Sequence, residues 1–157
     1  MKLYFAYGAN LNLDGMAYRC PKAQPVKSFY LKDWQLGFSS VATVRPEKGS
    51  CVPGALWKIT KQCEQSLDMF EGYPNLYRKK TLRIGGDEIM FYVMNHDTPA
   101  EPDIGYLMTI AEGYEDWNLD LGDLWDSVRR TQSEIMINRY ERNYSWWKSD
   151  IRDIQQG

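Results

Sequence analysis

At 157 residues the chain has room for one domain with a single core, and its 43% apolar and 25% charged residues are ordinary globular usage that excludes disordered and collagen-like classes. A mean hydropathy of −0.56 and no apolar run of about 18 residues exclude a membrane-spanning helix, and a net charge of −2 gives no general reason to bind nucleic acid. Cys20, Cys51 and Cys63 fit neither a disulfide framework nor a CxxC or Cys/His metal spacing, so a reducing cytoplasm is the expected setting.

Residues 2–7 read as a buried first strand ended by Gly8, and Leu3 to Ala6 is too short an apolar stretch for a secretory signal. Asn12 or Asp14 then caps a short helix that runs to about Arg19 and closes at Pro21. Three β-rich stretches follow, at about 28–38, 40–45 and 51–59, separated by Gly and Pro. Thr60 caps a helix from Lys61 to Glu71, which Gly72 and Pro74 stop. Residues 77–84 and 88–94 form a hairpin across Gly85-Gly86-Asp87. From Pro102 the apolar period changes from two to about 3.6. Asp103 caps a helix bearing Tyr106, Leu107 and Ile110, ended by Gly113, and another helix is expected at about 120–129. A last helix opens on the capping box Thr131-x-x-Glu134 and carries the stripe Met136, Tyr140, Tyr144, Trp147, Ile151 and Ile154. Strands first and helices later argue for an α+β fold, its mixed or antiparallel sheet curled into a small barrel.

Two places suit chemistry. In the turn Tyr7-Gly8-Ala9-Asn10-Leu11, Gly8 admits close approach of a ligand, and the start of a helix offers free N–H donors to a carboxylate or oxyanion. The same spacing also describes an ordinary strand-to-helix turn. Glu71 lies four residues beyond Leu67, on or beside the inward stripe of its helix and in its last turn. Burial and the negative end of the helix dipole both raise a carboxyl pKa toward the range a general base or acid needs. The competing reading is a frayed terminal Glu facing water. Tyr7, Tyr73, Tyr77, Tyr92 and Tyr106 come from separate segments and are candidates to line one cleft. His96 has no Ser or Cys partner at a triad spacing and reads as a loop residue. The cations of the last helix are interrupted by Glu134, Glu141, Asp150 and Asp153, which favours a solvated face over a nucleic-acid surface.

In order along residues 3–115, these segments resemble the γ-glutamylcyclotransferase family. Tyr4 to Leu11 resembles its YFAYGSNL signature, with Ala9 where serine is usual. Arg19-Cys20-Pro21, Val41-Ala42-Thr43-Val44 and Gly54-Ala55-Leu56-Trp57-Lys58 resemble later family segments. So do Leu67 to Pro74 with Tyr77-Arg78, and Tyr92 to Asn95 with Pro102 and Tyr106. The resemblance implies a small mixed barrel flanked by helices, with no metal and no cofactor. It also implies cleavage of a small-molecule γ-glutamyl amide by the substrate's own α-amine, releasing 5-oxoproline. Glu71 is then the general base and acid, and Tyr7, Gly8, Ala9, Asn10, Leu11, Tyr77 and Tyr92 bind substrate. A non-catalytic binding domain on the same fold is the alternative reading.

The resemblance makes residues 1–115 the catalytic core and 116–157 a C-terminal helical extension of the same domain. The stripe of that extension is too apolar for water. It is expected to pack on the chain's own barrel in a monomer, with a homodimer as the alternative.

Overall fold

The computed structural model describes residues 1–156. Ten elements follow in order: β1 (Lys2–Ala6), a 3₁₀ turn (Ala9–Leu11), α1 (Leu13–Arg19), β2 (Gln24–Ser39), β3 (Val41–Ile59), α2 (Lys61–Glu71), β4 (Tyr77–Ile84), β5 (Asp87–Met94), α3 (Ile104–Asp116) and α4 (Leu121–Gln156). The strands make one sheet in the order β2-β3-β1-β5-β4. The apolar β1 sits at its centre, antiparallel to β3 and parallel to β5 (Leu3 opposite Ile89, Tyr4 opposite Met90). An α+β fold with a mixed sheet is what the sequence led us to expect. The edge strands β2 and β4 do not pair with each other, so "barrel" is a loose name for an open sheet.

Local chemistry sets most boundaries. The side chains of Asn12, Thr60 and Asp103 accept the N–H groups of Gly15, Cys63 and Gly105 and so cap α1, α2 and α3. Such a cap is worth about 1 kcal/mol. Gly85 and Gly86, both at positive φ, make the two-residue turn that sets Ile84 opposite Asp87.

Three expected element boundaries need correction. The stretches 40–45 and 51–59 are one strand, β3, because the arms of the β2–β3 hairpin bulge together. Asp33 accepts the Gly49 N–H at 3.0 Å across the segment that Pro46 and Gly49 make look like a turn. α3 runs through Gly113 to Asp116. Gly113 is a contact and not a stop: a Cβ there would stand 2.6 Å from Cβ of Leu11.

The third correction concerns Thr131, which begins no helix and lies inside the single 36-residue α4. No Gly or Pro interrupts positions 123–156. Its buried hydroxyl donates to the Ser127 carbonyl (3.0 Å), one turn back, and accepts the Phe38 N–H (3.2 Å). Arg130 reaches the Leu36 carbonyl, and Arg45 of β3 pairs with Glu134. The first half of α4 is thereby fixed on β2 and β3.

The second half leaves the sheet: beside it runs the 98–99 segment, where Thr98 and Pro99 share a groove with Ile135, Asn138 and Arg142, and the apolar stripe is turned away from it. Tyr140 is 66% and Trp147 54% exposed, and Met136, Tyr144 and Ile154 are exposed as well. Packing of this stripe on the chain's own sheet is therefore overturned. The residues that face the body, Leu124, Ser127 and Thr131, lie more than a quarter of the way round the helix from it.

Thr131→Val keeps the shape and removes the acceptor, stranding the Phe38 N–H. Urea unfolding should show a loss of about 1–3 kcal/mol, against a near-neutral Ser133→Val on the same helix.

Candidate active site

One cleft of about 230 Å³ gathers residues from six segments around Glu71. β1 contributes Tyr4, and the chain just after it Tyr7, Gly8, Ala9 and Asn10. β3 contributes Val41 and Ala42 and α2 ends in Phe70 and Glu71. Leu76, Tyr77 of β4, Tyr92 of β5 and Tyr106 of α3 complete the wall.

α3 sets the position of the loop. Trp117 Nε1 donates to the Leu11 carbonyl (2.7 Å), and Asn12 Nδ2 donates to the Thr109 carbonyl (3.2 Å) and to Glu112 (2.9 Å). Leu11 itself is in the core, with its N–H spent on the Gly8 carbonyl, so it is not brought to the cleft. The N–H groups of Ala9 and Asn10 open the 3₁₀ turn and have no partner within it. Three residues carry no appreciable macrodipole, so what this turn offers a ligand is hydrogen bonding. Gly8 lies close to β3: a Cβ there would be 3.2 Å from Cβ of Ala42 and 3.6 Å from the Tyr106 hydroxyl oxygen.

Glu71 is the last residue of α2, ahead of the left-handed Gly72. Its Oε1 accepts Asn10 Nδ2 at 3.1 Å. The same amide nitrogen donates to the Tyr4 hydroxyl (2.9 Å), while Asn10 Oδ1 accepts Arg19 Nε (2.9 Å). The Arg19 guanidinium also lies 4.0 Å from the centre of the Phe70 ring. Burial pushes the Glu71 pKa up to about 7, and the Arg19 charge offsets only part of that rise.

The surrounding hydroxyls behave differently. Tyr7 donates to the Tyr92 carbonyl (2.5 Å) and Tyr77 to the Ala42 carbonyl (2.6 Å). Tyr106 accepts the Ala42 N–H (2.9 Å) and Tyr92 donates to Asp68 (2.6 Å). Burial raises the pKa of Tyr4, Tyr7, Tyr77 and Tyr92 far above the phenol range and pushes Tyr106 up to about 12. All five stay neutral at physiological pH. Among the described residues lining the cleft, Glu71 alone changes charge near neutrality.

Of the residues singled out in the sequence, the cleft unites Glu71, Tyr7, Gly8, Ala9, Asn10, Tyr77, Tyr92 and Tyr106. Tyr73 is outside, its ring under Lys79 Nζ at 4.3 Å, and His96 is exposed after β5. Tyr4 and Arg19 were not read as site residues. Strand alternation gives Tyr4 a face but not a neighbour, and a cation in the last turn of α1 already has a sufficient reason in the helix dipole. No His, Cys, Asp or Glu cluster among the described residues could hold a metal ion.

A family described as gamma-glutamyl cyclotransferase, AIG2-like, matches residues 4–118. A human gamma-glutamylcyclotransferase is 30% identical over 137 residues, covering 76% of this chain and 73% of that protein. A bovine gamma-glutamylcyclotransferase is 34% identical over 170 residues, covering 97% and 86%. Among solved structures, a gamma-glutamyl cyclotransferase superposes with a TM-score of 0.68 at 24% identity over 85% of both chains, a likeness of fold. The human protein loc79017 gives 0.66 at 26% identity, also over 85% of both chains.

The raised Glu71 pKa couples to stability. Below pH 4.5, the ordinary carboxyl value, the group is neutral in folded and unfolded chains alike. As pH rises from 4.5 to about 7, the unfolded chain ionises freely while the folded chain keeps its proton, so stability is lost across that window and the loss is complete once the folded group ionises. Glu71→Gln carries no charge at any pH. Its thermal midpoint should match that of the parent chain at pH 4.5 and exceed it at pH 8, with the gap opening in between.

Proposed function

The chain belongs to the γ-glutamyl cyclotransferase, AIG2-like family and is an enzyme of cyclotransferase type; on that premise we propose that Glu71 moves the protons of the reaction within the cleft just described. The observation that carries this reading is a single carboxyl, Glu71, held by Asn10 Nδ2 at 3.1 Å in a cleft otherwise lined by tyrosines and apolar side chains, with burial raising its pKa.

The substrate is a small γ-glutamyl compound. Its α-carboxylate takes the backbone N–H groups between Tyr7 and Asn10, while the ring faces of Tyr7, Tyr77 and Tyr92 enclose the glutamyl chain. Folding that chain back brings the α-nitrogen to the γ-carbonyl carbon, a five-membered closure whose effective molarity does much of the work. Glu71 takes a proton from the α-ammonium, and the free amine attacks. When the tetrahedral centre collapses, the protonated Glu71 delivers that proton to the leaving nitrogen and the C–N bond breaks. A further proton passes from the attacking to the leaving nitrogen, so the products are 5-oxoproline and an ammonium. The Asn10 N–H holds the carboxyl in place without neutralising it. Tyr4 and Asn10 offer further hydrogen bonds as charge moves. Ala9 leaves the backbone donors intact and removes the hydroxyl that serine would supply.

A binding protein on the same fold would have no use for a carboxyl held near neutrality, so the catalytic reading is preferred. Three free cysteines support a reducing, cytoplasmic setting. No helix among the described residues is long and apolar enough to cross a membrane.

One carboxyl handling both proton transfers is typically worth about 10²–10⁴-fold. Mass spectrometry of 5-oxoproline release across a panel of γ-glutamyl compounds should find turnover in the parent chain. Glu71→Gln should retain under about a tenth of that rate. A variant that keeps more would remove Glu71 from the chemistry. In the parent chain kcat/KM should fall as pH drops through about 7.

The turn is tested separately. Gly8→Val sets new methyl groups against Ala42 and the Tyr106 hydroxyl and closes the backbone donors off, so calorimetry should show no substrate binding. Ala9→Ser, which leaves the N–H groups in place, should bind normally.

A further inference from the structure

The projecting half of α4 lies beyond residue 118, where the family match ends. Its apolar positions Ile137, Tyr140, Tyr144, Trp147, Ile151 and Ile154 are spaced three and four apart in strict alternation, the a and d positions of a heptad seam. The seam faces away from the body, which meets α4 on the side of Leu124, Ser127 and Thr131 and, farther along, comes near Ile135, Asn138 and Glu141 through Thr98 and Pro99. A second helix therefore reaches it without meeting the sheet. We propose that this seam is covered by the same seam of a second copy of the chain, the two helices running antiparallel in an isologous pair.

The sequence of the seam is complementary to its own reverse. Antiparallel packing sets each a position against a d position of the partner. Here that places residue 137 opposite 154, 140 opposite 151 and 144 opposite 147, every layer filled by large apolar side chains. Tyr144 and Trp147 already stack in one chain, with ring centres 6.2 Å apart, and so present a flat aromatic surface at the middle of the seam. The flanks select the direction. In this register the Glu141 flank lies against the same flank of the other copy, and Glu141 meets Lys148 of the second copy at two symmetric places. Within one helix these residues stand two turns apart, about 10.5 Å, too far to pair with each other. A parallel pair would instead set Lys148 beside Asn143 and Glu141 beside Met136, with no ion pair. Rings of about 150–250 Å² each, more than half exposed, together with the isoleucines of both copies, bury on the order of 1,000 Å² in total. That reaches the lower bound of a specific interface.

The experiment is sedimentation velocity with light scattering on the full chain over a hundredfold range of concentration. The expected species is a dimer of twice 18.4 kDa. Trp147→Glu should be monomeric with unchanged helical circular dichroism and unchanged specific activity. Glu141→Lys should raise the dimer dissociation constant roughly tenfold, since two contacts turn from attraction to repulsion, and adding Lys148→Glu should restore it. That rescue is particular to the antiparallel register. A parent chain that stays monomeric would overturn the proposal, as would a dimer indifferent to Trp147→Glu or a double reversal that rescues nothing. A monomer that floats with phosphatidylcholine–phosphatidylglycerol vesicles would assign the seam to lipid instead.

Discussion

Everything in the cleft depends on holding a carboxyl group firmly without neutralising it. The device is Asn10. Its amide nitrogen bonds Glu71 and Tyr4 while its oxygen takes Arg19, so one buried side chain ties β1, α1 and the end of α2 together. Had the guanidinium bonded Glu71 directly, the charge pair would have drawn the pKa below the ordinary carboxyl value. Arg19 instead spends its Nε–H on the amide and its flat face on Phe70, and acts on Glu71 only at a distance. Burial therefore outweighs the cation, and the pKa settles near neutrality.

The same logic extends outward. Tyr92 donates to Asp68, and Lys79 binds both Asp68 and Glu64, so the charges of α2 on this side are matched before they reach the cleft. The loop that supplies the N–H donors is short, and its rigidity comes from α3, which lies against it closely enough that only glycine fits at position 113. Because the loop is held by Trp117 and Asn12 from outside, its inner donors remain for a ligand.

How much of this the sequence disclosed depends on whether the signal was local. Caps at Thr60 and Asp103 and the Gly85-Gly86 turn are settled by neighbours in the chain, and they were legible. So was Glu71, because the helical period set it beside the inward stripe and Gly72 marked it as terminal. Arg19 and Tyr4 escaped, since their roles exist only through Asn10, whose partners come from three elements. The bulge at Asp33 escaped for a related reason: Pro46 and Gly49 do carry turn chemistry, and residues 47–50 leave the ladder, but pairing with β2 resumes on both sides and keeps the arm one strand. At Thr131 a motif misled. Thr-x-x-Glu caps a helix only where the chain breaks, and with no Gly or Pro nearby the hydroxyl turned back to Ser127.

The long helix shows how one element can serve two surfaces without compromise. Where α4 lies on β2 it buries Leu124, Ser127 and Thr131, a narrow face of mostly small or polar residues that lets backbones approach and trade hydrogen bonds. Past the Arg45–Glu134 pair the sheet is left behind, and the apolar positions move to a different face and become large and aromatic. A helix meant only to complete the core would have kept its apolar residues on the face that meets the core. Shifting them while keeping the helix unbroken leaves the first half to fix where the second half points. The first half thus transmits the rigidity of the sheet to a seam that shares no residue with the lining of the cleft.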